Sequence, residues 1–205
     1  QEMLEEAVHV IRLLWQGGMR SHHGKHYTVE NAQIFDLPKQ PTPLFVAAAG
    51  PTSAELAGRI GDGYIGTSAD RDTLQRFQQL GGAGKETLGQ VTVCWAADEA
   101  SARKTAYEWW PNSAIPGELG QELPTPSYFE QAAKLVTEDR VAKEIICGPD
   151  PQKHLAAIEQ YVDAGFSHVY VHQVGPDQEG FFRFYEREIL PKLESASAAT
   201  ARAAR

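Results

Sequence analysis

Two strand-end segments, one histidine and one histidine cluster are where the residue types of this chain could do chemistry. The first lies in PLFVAAAGPTSAELAGRIGDGYIGTSAD, Pro43 to Asp70, where Ala47, Ala48 and Ala49 run into Gly50-Pro51 at the end of an apolar segment. Backbone that bare has two uses. Either something flat or bulky lies against it, or the strand and the helix after it pack closely, and the residues alone leave the two readings even. Thr67 and Ser68 close the next apolar run, where a hydroxyl more often caps the following helix, as Ser68 or Asp70 would. His172 ends the last apolar run, before Gln173-Val174-Gly175-Pro176. That placement aims it at a pocket, and a hydrogen-bonded structural role is equally open. His22 and His26 are four apart, a metal-pairing interval only on a helix; Gly24 between them and Tyr27-Thr28-Val29 after them argue for a solvated loop. There is no nucleophile elbow, paired-carboxylate constellation, zinc spacing, GxGxxG or GxxxxGK[ST] to supply a metal site or a catalytic group.

These residues need elements to hold them. Leu4, Val8, Ile11, Leu14 and Trp15 fall at helical spacing, so residues 2–16 form an amphipathic helix stopped by Gly17-Gly18. Residues 19–42 are polar, with a short extended pattern around His26–Val29. Leu44–Ala48 is continuous in apolar residues, as in a strand buried on both faces. Pro51 suits a first helical turn, Leu56 and Ile60 share a face, and Gly61 stops the helix before a strand over Gly63–Thr67. Strand, helix and strand in so short a span make a parallel βαβ unit. Further along, 70–80 is helical and Gln90–Ala96 a strand. Residues 99–143 break the rhythm with helices at 99–110 and 127–142, and Trp109-Trp110 within them read as core, a lid being the alternative. Asp150-Pro151 opens a helix whose Leu155, Ile158 and Tyr161-Val162 face inward. Ser167–His172 is a strand and Gly180–Leu193 an amphipathic helix. Four strands alternating with helices give the α/β class.

The totals narrow the function. The 205 residues suffice for one or two domains, and 42% hydrophobic with 22% charged residues is a globular composition. A net charge of −8 argues against nucleic acid, and no apolar run reaches the roughly 20 residues of a membrane helix. Cys94 and Cys147 are too few for a disulfide framework, so a reduced, cytoplasmic setting is expected. The chain opens at Gln1 inside a helical pattern, without a basic leader, and closes on an Ala/Ser-rich stretch, 195–205, expected to be a disordered tail.

AAAGPTSAELAGRIGDGYIGTS, ICGPDPQKHLAAIEQYVDAGFSHVYVHQVGPDQEGFFRFYEREILPKL and the opening helix ending LLWQGG resemble the bacterial-luciferase-like flavin and deazaflavin oxidoreductases, in the branch of the F420-dependent glucose-6-phosphate dehydrogenase-like proteins. The resemblance runs over 1–194 and implies an α/β fold: a partial luciferase-like (β/α)8 TIM barrel holding about strands five to eight, with a helical insertion at about 99–143. It implies coenzyme F420 as cofactor, FMN being the alternative, and hydride transfer to or from an alcohol, carbonyl or enone. Ala49 and Gly50 match the family's cofactor-contacting pair, so Ala48, Ala49 and Gly50 become the expected cofactor contacts, their N–H groups near a helix start facing polar cofactor atoms. Thr67, by its family counterpart, and His172, by its strand-end place, become the expected substrate contacts. The family's catalytic histidine and acid lie on its first four strands, so the catalytic residues are expected outside this chain, and the 205 residues alone are expected to be inactive. The partner expected is a small-molecule substrate, with a homodimer for the full-length protein.

The pattern departs from the family in one respect. Sugar-phosphate-using members place a lysine three residues after the threonine and an arginine just before the stretch matching Ile145-Ile146. Here those places hold Asp70 and Glu144, and nothing between Lys104 and Lys134 is basic. Glucose 6-phosphate is therefore not the expected substrate.

Overall fold

In the computed structural model, which describes residues 1–117 and 119–193, the chain forms two compact units. The first is built from residues 1–90 and 161–169, the second from 91–160 and 170 onward. The expected tail at 195–205 lies outside the described residues.

The first unit opens with helix α1 (Glu2–Leu14), whose acidic Glu2 and Glu5 sit in its first turn and Arg12 in its last, the arrangement a helix dipole favours. Gly17 and Gly18 end it with φ of +72° and +70°, backbone that costs glycine nothing. The inward stripe is narrower than the periodicity suggests: Val8 and Val10 are buried, whereas Leu4 and Ile11 are exposed. An antiparallel hairpin follows, β1 (Arg20–His23) with β2 (Thr28–Ala32). Here the expectation of a solvated histidine loop fails for His22. It lies in β1 and its Nε2 stands 3.1 Å from Glu6 Oε1, because Glu6 also accepts the main-chain N–H groups of His26 and Tyr27 and so ties the hairpin to α1.

Strand β3 (Phe45–Ala47), helix α2 (Pro51–Ile60) and strand β4 (Gly63–Gly66) form the parallel βαβ unit, with Phe45, Val46 and Ala47 opposite Gly63, Tyr64 and Ile65. Asp62 starts that ladder, its Oδ2 accepting the Leu44 N–H and its Oδ1 an Arg12 N–H. Lys85 holds the far end of α2 by donating to the carbonyls of Gly58 and Gly61. Helix α3 (Arg71–Phe77) runs into a wider π turn over Gln78–Gly82, after which strand β5 (Glu86–Cys94) begins four residues earlier than its apolar alternation suggests. Its first residues pair in parallel with β4, from Gly63↔Glu86 to Gly66↔Gly89. Tyr64, Phe77, Leu56 and Leu74 are nearly sealed from solvent and form this unit's core.

In the second unit Asp98 caps helix α4 (Glu99–Trp109), and a 3-10 turn covers Pro111–Ala114. Short helices α5 (Leu119–Glu122), α6 (Pro126–Ala133) and α7 (Glu138–Glu144) follow. The single helix expected over 127–142 is two, because Thr137 turns its hydroxyl onto the Arg140 N–H and starts a new helix. Strand β6 (Ile146–Cys147) is too short to show in the sequence, and pairs in parallel with the end of β5 through Val93↔Ile146 and Cys94↔Cys147. Helix α8 (Pro151–Ala164), strand β7 (His168–Gln173) and helix α9 (Gln178–Phe184) complete the chain's described elements, with a π turn at Tyr185–Ile189. β7 pairs with β5. Leu155, Ile158 and Tyr161 of α8 are buried, but Val162 is 57% exposed and does not share their face. A core of Cys94, Ala102, Ala106, Val141, Ile145 and Val174 anchors the insertion helices. Among the described residues no helix is long and apolar enough to cross a membrane, and no group of acids, histidines or cysteines could hold a metal ion.

Candidate functional site

The ends of β3 and β4 lie side by side because the strands are parallel and in register, so Ala48–Gly50 and Thr67 come to one edge of the first unit. Ala48 is buried and both its main-chain groups are used: its N–H donates to Ile65 O at 3.1 Å, and its carbonyl accepts the Tyr64 hydroxyl at 3.0 Å. Ala49 is exposed. The Gly50 N–H donates to Ser53 Oγ at 3.3 Å and the same hydroxyl donates back to Gly50 O at 2.9 Å. Of the two N–H groups expected to face a ligand, only that of Ala49 has no intramolecular acceptor among the described residues.

Gly50 distinguishes the two readings of the bare strand end. Its φ is −159° and ψ 171°, ordinary extended backbone open to any residue. A Cβ built there meets no described atom within 4 Å. Neither the backbone angles nor the packing of the unit requires glycine at this position. Gly58, two turns along the same helix, is the opposite case: a Cβ there would stand 2.6 Å from Phe77 O and 2.8 Å from Leu80 O. Close packing explains Gly58 and does not explain Gly50.

Thr67 is exposed, and the capping role falls to Asp70 instead. The Asp70 carboxylate accepts from the main-chain N–H groups of Asp72 and Thr73 and from the Thr73 hydroxyl. The Thr73 side chain first, then the Thr73 N–H, pulls the Asp70 carboxyl below its usual range. The Thr67 hydroxyl therefore has no hydrogen-bond partner among the described residues.

His172 belongs to the second unit. Its ring lies edge-on to Trp110, with centroids 5.2 Å apart, and its buried Nδ1 has no hydrogen-bond partner among the described residues. Buried polar groups are nearly always paired, so an orphaned ring nitrogen at a strand end is worth noting. Trp109 and Trp110 are 56% and 38% exposed, which corrects their reading as core: α4 ends there, and the chain turns outward into Pro111. Two features of this unit escape sequence reading. Gln173 holds the Trp95 main chain with its amide, accepting from Trp95 N at 2.8 Å and donating to Trp95 O at 3.2 Å. His154, 1% exposed, lies 2.9 Å from both the Gly148 carbonyl and the Tyr185 hydroxyl. Its Nε2 must carry the proton, since a carbonyl can only accept, and its Nδ1 then accepts from Tyr185. Only the place of His154 in the first turn of α8, four residues before the buried Ile158, could have signalled it. The insertion also bounds a cavity of about 550 Å³ lined by Pro111, Leu123, Pro124, Pro126 and Phe129 among others.

Known proteins share this architecture. Residues 1–168 match the model of the luciferase-like monooxygenase family, and the chain belongs to that family. It is 35% identical over 204 residues to an F420-dependent glucose-6-phosphate dehydrogenase of Microbacterium testaceum, and 32% identical to the same-named protein of Rhodococcus erythropolis, covering 94% of this chain and 60% of each relative. The chain thus spans about 60% of the length of the curated relatives it matches. Among solved structures it superposes on an F420-dependent secondary alcohol dehydrogenase holding an F420-acetone adduct, with a TM-score of 0.77 at 23% identity over 92% of this chain and 60% of that one. A coenzyme F420-dependent tetrahydromethanopterin reductase from Methanopyrus kandleri gives 0.63 at 21%, over 92% and 62%. The fold is part of the family's α/β barrel.

Proposed function

We propose that the full-length protein is an oxidoreductase that transfers a hydride between coenzyme F420 and an uncharged alcohol, carbonyl or enone, with the Ala48-Ala49-Gly50 strand end lying against the deazaflavin. The observation that carries this reading is the open space at Gly50, where an added Cβ would meet no described atom within 4 Å. The names of the curated relatives support the choice of cofactor. Bound there, F420 would supply the carbon that accepts or gives the hydride. This chain's part in the first unit is to present flat backbone, to direct the Ala49 N–H toward an acceptor atom, and to offer the Thr67 hydroxyl to a substrate. Its two cysteines are unpaired and buried, which supports a reducing, cytoplasmic setting.

The substrate reading rests on charge. Asp70 stands ionised at the α3 N-terminus, and Glu144 is exposed at the end of α7. Both are solvated, so the repulsion they exert is modest: two unit charges about 4 Å apart in water interact by about 1 kcal/mol. The larger deficit is the missing cations, since a phosphate dianion needs charged donors and a neutral substrate does not. Titration of the full-length protein with F420 and with FMN tests the cofactor. Saturable binding of F420 with weak or no binding of FMN is expected; tight FMN binding with indifference to F420 would make it a flavin monooxygenase instead.

A further inference from the structure

The ladder between β3 and β4 stops one rung early, and a side chain fills the gap. In a parallel pair, a residue that donates its N–H to one carbonyl accepts at its own carbonyl from the N–H two residues further along the partner strand. Ala48 donates to Ile65 O, so its carbonyl should accept from Thr67 N. No such bond is present among the described residues; the Tyr64 hydroxyl takes that place at 3.0 Å. Tyr64 is 1% exposed, with its ring centroid 5.3 Å from Phe77 and 5.8 Å from Phe166, so the hydroxyl has little freedom to leave. Gly66 keeps the slot open, for a Cβ there would stand 2.7 Å from the hydroxyl. Desolvation above all, then Asp70 and Tyr161, raises the Tyr64 pKa, so the phenol keeps the proton it donates.

The chemistry of a trans peptide turns this contact into a device. The Ala48 carbonyl and the Ala49 N–H belong to one planar unit and point in opposite directions, and the described residues hold no cis peptide. Fixing the carbonyl toward β4 fixes the N–H away from it, where no group among the described residues accepts it. The same substitution releases the Thr67 N–H from the ladder. We propose that Tyr64 is a positioning residue: by standing in for a main-chain rung it ends the ladder at Ala48 and holds the Ala49 and Thr67 amides as free donors for oxygen or nitrogen acceptors of the bound deazaflavin and its substrate. This rests on the cofactor reading above, and the test separates the two.

Tyr64→Phe in the full-length protein keeps the ring and removes only the hydroxyl. Its F420 Kd, measured by fluorescence quenching well below the unfolding transition, should rise about five- to tenfold, the value of one well-aligned hydrogen bond. Phe77→Leu loosens the same core without touching the Ala48 carbonyl and should leave Kd within twofold of wild type, although it lowers stability. In the unmodified protein, the Ala49 and Thr67 amide resonances should move on adding F420 and their hydrogen exchange should slow, a readout that does not depend on any variant folding. An unchanged Kd for Tyr64→Phe, or unmoved Ala49 and Thr67 amides, overturns the role given to Tyr64. If Gly50→Val also leaves binding intact, the cofactor site itself is misplaced; if Gly50→Val abolishes binding while Tyr64→Phe does not, only the positioning role falls.

Discussion

Gly50→Val places two methyl groups in the space that the proposed cofactor occupies, and the structure lets its two effects be separated. On stability the change is nearly neutral. The extended φ of −159° suits valine, and the new Cβ meets nothing within 4 Å. Gly50 is the N-cap of α2, and losing glycine there costs roughly 0.5–1 kcal/mol. Replacing a glycine whose native backbone any residue can adopt returns about 0.4–1 kcal/mol by narrowing the unfolded ensemble. The Gly50 N–H to Ser53 bond is main-chain and survives. The net change expected in urea unfolding is within about 1 kcal/mol of zero. Binding is another matter: a flat ring excluded from its seat by a branched side chain should lose at least about 100-fold in Kd, near 2.7 kcal/mol. Gly58→Ala on the same helix is the counter-case, because its methyl would meet Phe77 and Leu80 main chain. It should lower stability by about 1–3 kcal/mol while the folded fraction binds F420 normally. Fluorescence titration with F420 and urea unfolding, run on both variants of the full-length protein, give the four numbers. A Gly50→Val protein that binds F420 within threefold of wild type, or one whose stability falls as far as its affinity, would refute the reasoning.

Glucose 6-phosphate should be turned over poorly by the full-length protein relative to uncharged secondary alcohols; efficient, saturable oxidation of the phosphate would show that other residues supply the missing cations. Asp70→Lys is a poor test of that idea, because it also removes the α3 cap; Glu144→Arg, at an exposed helix end, is the cleaner variant and should improve phosphate binding a fewfold. Burial lowers the His154 pKa below its usual 6.5 despite the Gly148 contact, so the folded protein holds this ring neutral. Its contribution to stability is full above pH 6.5 and is lost as pH falls from there toward the folded pKa, by at most about 1.4 kcal/mol per pH unit. Urea midpoints at pH 7.5 and 5.5 should therefore differ more for the wild type than for His154→Gln, and equal pH dependence would remove His154 as the cause.

Much of the first unit was legible because its signals are local. Proline at a first turn, glycine at a stop and a continuous apolar run each act within a few residues, and α2 with its flanking strands lies where those residues put it. The α/β class and parallel pairing follow from the same signals. What escaped was set by partners distant in sequence. β6 is two residues long and exists because Val93 and Cys94 offer it a ladder. His22 reads as a loop histidine until Glu6, 16 residues away, is placed beside it. The strand-end residues were visible as an oddity of composition, yet the difference between Gly50 and Gly58 is a matter of neighbours, and the Tyr64 hydroxyl looks like any core tyrosine until its acceptor is known.

The carboxylate of Glu6 also sets an order of events. Burial opposes its charge, but the Tyr27 amide, the His22 ring and the His26 amide hold its pKa down at about 2, so it is ionised at neutral pH. Its main-chain partners lie only 20 and 21 residues along the chain, whereas the Thr87–Ser167 bonds that join β5 to β7 span 80. Two doublings of loop length add about 1.2 kcal/mol to the entropy of closure. The helix and hairpin can therefore close on each other at a lower entropic cost than the β5–β7 rungs. The β5–β7 rungs carry the larger closure cost, so of these two contacts the pairing of β7 is the later and the more open to mispairing.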